Sequence, residues 1–108
     1  MTEDEYFSSQ NELYQQIAKT LIQNTPENWS QILLTLEHEE DDLEGSSLEH
    51  MLENPEIRNS SIMPPDELYE YTFSLFDLFK NHEKAFKKAL IKVYEVEGKW
   101  KIETNYEY

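Results

Sequence analysis

The stretch from Pro65 to His82, PDELYEYTFSLFDLFKNH, constrains the fold more than any other part of the chain. Leu68, Tyr71, Leu75 and Phe79, with Thr72, Phe76 and Leu78 between them, recur at three- and four-residue steps. On a helix these positions stack into one broad apolar stripe, and Asp66, Glu67, Glu70 and Asp77 fall off it. Prolines 64 and 65 stand where no backbone donor is needed, carboxylates follow in the first turn, and Lys80, His82 and Lys84 gather at the other end, as the helix dipole favours. So wide an apolar stripe needs a second layer to cover it.

The rest of the chain supplies that layer. Leu13, Ile17 and Leu21, flanked by Tyr14, Ala18 and Ile22, predict an amphipathic helix from Asn11 to about Asn24, capped by Ser8, Ser9 or Asn11 and ended by Thr25-Pro26. The first dozen residues of the chain are polar, and residues 1–10 are expected to be loose. Trp29 follows in a turn and is expected to fold onto the core. Gln31 to His38 alternates Ile32, Leu34 and Leu36 against Leu33, Thr35 and Glu37, the pattern of a strand with one face buried. Ser47–Leu52 and Ile57–Met63 are candidates for short strands, although neither is rich in β-branched or aromatic residues. Lys88–Val96 and Lys99–Tyr108 both alternate around Glu97-Gly98, which predicts a hairpin; Trp100, Ile102, Thr104, Tyr106 and Tyr108 share one of its faces. The expected fold is one α+β domain over residues 1–108, a mostly antiparallel sheet with an N-terminal and a central helix packed on one face.

Charge narrows the function. The chain holds 9 basic and 23 acidic residues, net −14, yet 14 aromatic residues (seven Tyr, five Phe, two Trp) argue for a packed core. Residues 1–79 carry two basic and 18 acidic residues, net −16, while residues 80–108 carry seven basic and five acidic, net +2. Such a field repels nucleic acid and anionic membranes and draws in basic proteins. With no cysteine, disulfides and thiolate metal sites are excluded. No apolar run is long enough for a membrane span and no secretory leader opens the sequence, so a cytoplasmic protein is expected.

The motifs that carry chemistry are few. Nine acids and no Lys or Arg lie between Glu37 and Glu56. The run Glu37, Glu39, Glu40, Asp41, Asp42 and Glu44 either imitates the phosphate spacing of a nucleic acid and docks in a basic cleft, or is a solvated loop. Glu40-x-Asp42-x-Glu44-Gly45 imitates the start of a calcium loop, but the twelfth position, which must supply a bidentate carboxylate, is Met51. His38, His50 and His82 have no metal-binding or catalytic spacing and read as surface histidines among carboxylates. Two glycines cannot build a phosphate-binding loop, and no serine sits in a nucleophile motif. No enzyme activity, cofactor or metal is expected. Tyr69, Tyr71, Tyr94, Tyr106 and Tyr108 suit either a small core or a protein interface; Tyr106 and Tyr108, at the end of the sequence, have the better claim to a partner. Lys84, Lys87, Lys88 and Lys92 read as a basic patch or as the guard of a strand edge.

Two segments resemble a known family. LYQQIAKTLIQNTPENWSQILL, from Leu13 to Leu34, is similar to the opening of YezG-like immunity proteins, in which a helix runs into a Pro-Glu-x-Trp turn and a strand. ELYEYTFSLFDLFKNHEKAF from Glu67, followed by a strand and Gly98-Lys99-Trp100-Lys101-Ile102-Glu103-Thr104-Asn105-Tyr106, is similar to that family's closing helix, glycine turn and last strand. Together they cover roughly two thirds of the chain. Glu39–Ser61 departs, being acidic and polar where the family carries aromatic-rich strands. The resemblance implies a cytosolic antitoxin that neutralises a secreted toxin, commonly a nuclease. The expected function is therefore an immunity protein binding a cognate toxin of basic surface through Glu37, Glu39, Glu40, Asp41, Asp42 and Glu44, joined by Glu70 and Asp77 on the central helix and by Tyr106 and Tyr108. The alternative is a non-enzymatic adaptor or oligomer-forming protein.

Overall fold

A computed structural model of the chain describes residues 3–38, 48–82 and 86–108. Its elements in order are α1 (Glu3–Asn24), β1 (Gln31–His38), β2 (Leu48–Glu53), α2 (Asp66–Asn81), β3 (Lys88–Val96) and β4 (Lys99–Glu107). The strands form one antiparallel sheet in the order β2-β1-β3-β4. Both helices lie on one of its faces, and the two layers share the α+β core the sequence predicts.

Helix α1 begins at Glu3, some eight residues earlier than the apolar periodicity indicates. Two features extend it. Glu3, Asp4 and Glu5 place negative charge in the first turn, where the dipole is positive. Tyr6 is buried at 5% exposure, its ring 4.0 Å from that of His82 and 6.0 Å from that of Phe79, so the first turns are anchored to the end of α2. Ser8, Ser9 and Asn11, expected as caps, are interior helix positions. At the other end Asn24 Nδ2 donates to the Thr20 carbonyl and Thr25 Oγ1 to the Leu21 carbonyl, so side-chain donors reinforce the last turn. Trp29 folds onto the core, as expected.

Leu68, Thr72, Leu75, Phe76, Leu78 and Phe79 of α2 are buried. Facing them are Ile32, Leu34 and Leu36 of β1, Leu48 and Leu52 of β2, Ala89, Ile91 and Val93 of β3, and Phe86. The alternation of β1 follows the sequence reading, with Glu37 directed to the opposite face. The β3–β4 hairpin turns on Glu97 and Gly98, both at positive φ (52° and 78°), the geometry of a tight two-residue turn.

Among the described residues the middle of the chain supplies one strand, Leu48–Glu53. Ile57–Met63 makes a single bridge, Ile62 to Leu52. A turn held by Asn54 prevents more. Its side chain accepts from the Glu56 amide, its own amide and carbonyl both bond Ser60 Oγ, and Asn59 lies at φ 59°. Lys88 and Lys92, read as guarding an edge, stand on β3, which is an interior strand; Lys84 lies outside the described residues. The edges are β2 and β4.

Candidate interaction surface

Both helices cover one face of the sheet, and no described helix or strand covers the other. Register and alternation order that second face in rows. Glu49, Glu37, Lys88 and Glu107 stand side by side across the four strands, then Met51, Thr35, Leu90 and Asn105, then Glu53, Leu33, Lys92 and Glu103. The β1–β2 half of this face is acidic around a small apolar centre in which Met51 is 50% exposed.

Glu37 and Glu49 are directly opposed across β1 and β2, an arrangement that costs stability because like charges repel at that spacing. Lys88 Nζ, 3.6 Å from Glu37 Oε1, offsets it only partly, since both groups are substantially exposed. Thr35, Glu37, Glu49 and Met51 are among the residues lining a shallow depression of about 100 Å³. Two carboxylates at the rim of an apolar hollow suit the end of a lysine or arginine side chain, whose stem is apolar and whose head is cationic. Glu39, Glu40, Asp41, Asp42 and Glu44, on the segment joining these two strands, lie outside the described residues.

The other expected contact residues are dispersed. Glu70 and Asp77 are exposed on α2, on the helix side of the sheet, so they do not share a surface with Glu37. Tyr106 belongs to the core layer. Its ring packs against Phe79 and Phe86 at 4.8 and 5.4 Å, and its hydroxyl bonds that of Tyr14; burial first, then this bond, push the phenol pKa well up. Tyr108 is 63% exposed and remains available to a partner.

The histidines are not scattered among surface carboxylates as expected. His38 stacks on Phe76 with centroids 4.8 Å apart, and its buried Nε2 has no hydrogen-bond partner among the described residues. His50 lies against Tyr69 and Phe73. Its Nδ1 lies 3.1 Å from the Leu48 carbonyl oxygen and its Nε2 bonds the Thr72 hydroxyl at 2.7 Å, the same hydroxyl lying 3.1 Å from the Tyr69 carbonyl oxygen. Burial lowers its pKa below the ordinary value, against the opposing pull of the Leu48 carbonyl. His82 covers Tyr6. All three serve the packing of α2.

Glu49, Glu53 and Met51 are the residues of this surface that the sequence reading passes over. Period-two alternation in LEHMLE was the available signal, but it becomes informative only once β2 is known to pair with β1. Among the described residues no group of three His, Asp or Glu side chains is placed to hold a metal ion, and no helix is long and apolar enough to cross a membrane. Glu40, Asp42 and Glu44 of the calcium-like motif fall outside the described residues, while its twelfth position, Met51, is a strand residue without a carboxylate. No protein-family model matches the chain, and no curated protein matches it.

Proposed function

We propose that this protein is an immunity protein, a non-catalytic cytoplasmic inhibitor that binds a cognate basic toxin, in keeping with its resemblance to YezG-like proteins. The opposed Glu37–Glu49 pair carries the reading. A like-charge pair on an uncovered sheet face weakens the free protein, and a cationic side chain from a partner relieves it. The acids from Glu39 to Glu44 extend the same charge along the chain, and Met51 supplies apolar area at the centre. The overall charge of −14 accelerates encounter with a cationic protein and disfavours nucleic acid as a direct ligand. A nuclease toxin fits this electrostatic logic, because its substrate groove must itself attract a polyanion.

The test is biological. The protein is purified with its bound partner from the native cell, and the partner is expressed alone in a naive host. Growth arrest that is relieved by co-expressing this chain supports the reading. A partner that is harmless alone, or whose toxicity this chain leaves unchanged, contradicts it.

A further inference from the structure

Strand β4 leaves one edge of the sheet open. It pairs with β3 along its whole length, and no described residue pairs with its other side, whereas the far edge at β2 is partly closed by the Leu52–Ile62 bridge. The two-residue turn fixes which backbone groups face outward. With Val96 and Lys99 flanking the turn as a hydrogen-bonded pair, the amides and carbonyls of Lys99, Lys101, Glu103 and Asn105 point to β3, and those of Trp100, Ile102 and Thr104 point away. The side chains of those outward-facing residues lie on the helix side. There Trp100 and Ile102 meet Ala18 and Ile22 of α1 in a groove of about 430 Å³.

This edge is also the least acidic part of the molecule. The hairpin from Lys88 to Glu107 holds Lys88, Lys92, Lys99 and Lys101 against Glu95, Glu97, Glu103 and Glu107, net zero, so the chain's excess of −14 lies elsewhere. Along β4 the charges are segregated, lysines in the first half and glutamates in the second. A strand of that kind complements itself when it meets a copy running the opposite way.

We infer that a second copy of this chain pairs antiparallel with β4 about a two-fold axis at Ile102, joining two four-stranded sheets into one of eight strands. Ile102 then faces Ile102 of the other copy as a hydrogen-bonded pair, and Trp100 faces Thr104. Lys101 faces Glu103 twice, in the non-hydrogen-bonded positions where side chains approach most closely. Moving the axis to Lys101 or to Glu103 would set like charges against each other, so the charge pattern selects this register from its neighbours. Because the axis is perpendicular to the sheet, both copies of α1 fall on the same face, and the two α1–β4 grooves meet over the paired isoleucines. The acidic β1–β2 surface lies at the outer end of each half and stays accessible.

The test uses the full chain, which has no native cysteine. Light scattering across a dilution series should give twice the monomer mass at its concentrated end. Lys101→Glu should weaken self-association about tenfold or more, since symmetry counts the altered pair twice, and adding Glu103→Lys should restore it. Ile102→Cys should form an intermolecular disulfide under mild oxidation, because hydrogen-bonded antiparallel partners have Cα atoms about 5.5 Å apart, within disulfide reach. Thr104→Cys should not. Circular dichroism establishes that each variant is folded. A monomeric wild-type chain at every concentration, or a dimer indifferent to Lys101→Glu, overturns the inference.

Discussion

Single residues here trade stability against other demands, and three of them can be tested directly. His50 is neutral in the fold because burial lowers its pKa. In the unfolded chain it titrates near its ordinary value, so below roughly pH 6.5 the unfolded state takes up the proton first. Its contribution to stability is therefore complete above that pH and is lost as the pH falls through the lowered folded value. Urea midpoints measured from pH 7.5 downward should show the loss, and His50→Gln should flatten it. Thr72→Val, which withdraws the hydroxyl from His50 Nε2 at a fully buried site, should cost about 1–2 kcal/mol at neutral pH. Glu49→Lys should act in the other direction. By replacing a repulsive cross-strand pair with an attractive one, it should raise stability by about 0.5–1 kcal/mol while impairing partner binding. A variant that gains stability and loses function marks Glu49 as a binding residue.

At the scale of elements, what could be read from the sequence was whatever depends on local pattern. The stripe of α2, the alternation of β1 and the glycine turn of the β3–β4 hairpin each follow from periodicity and backbone geometry within one segment. Missed features depend on what a segment meets. The first turns of α1 have a polar sequence and are ordered by one tyrosine against the far end of α2. Tyr6→Ala should therefore destabilise the whole domain by on the order of 3 kcal/mol, measured by urea unfolding, where a loose N-terminus would show no change. β2 lacks the residues that favour strands and is defined by its pairing with β1. Lys88 and Lys92 look like edge residues because nothing local says that β3 is paired with a strand along both of its edges. Tyr106, near the end of the sequence, is drawn into the core by Phe79, Phe86 and Tyr14. The candidate binding surface was half legible. Its acidity was plain, but the sheet divides Glu37 from Glu70 and Asp77, and the register that sets Glu49 against Glu37 is a tertiary fact.

For the whole molecule the governing property is how charge is distributed. The β3–β4 hairpin is neutral, the β1–β2 half of the open sheet face is acidic, and the two lie at opposite edges of one sheet. Under the proposals above, that separation would let a protein of net charge −14 meet a cationic partner at one edge and a second copy of itself at the other. The central claim is that an acidic surface containing Glu37 and Glu49 recruits a basic protein, and the association rate with the co-purified partner, followed against ionic strength, tests it most directly. The rate should fall steeply as salt is raised, and the Glu37→Lys/Glu49→Lys variant should associate about tenfold or more slowly at low salt and show a shallower salt dependence. Equal rates for the two proteins, unchanged from low to high salt, would contradict the account.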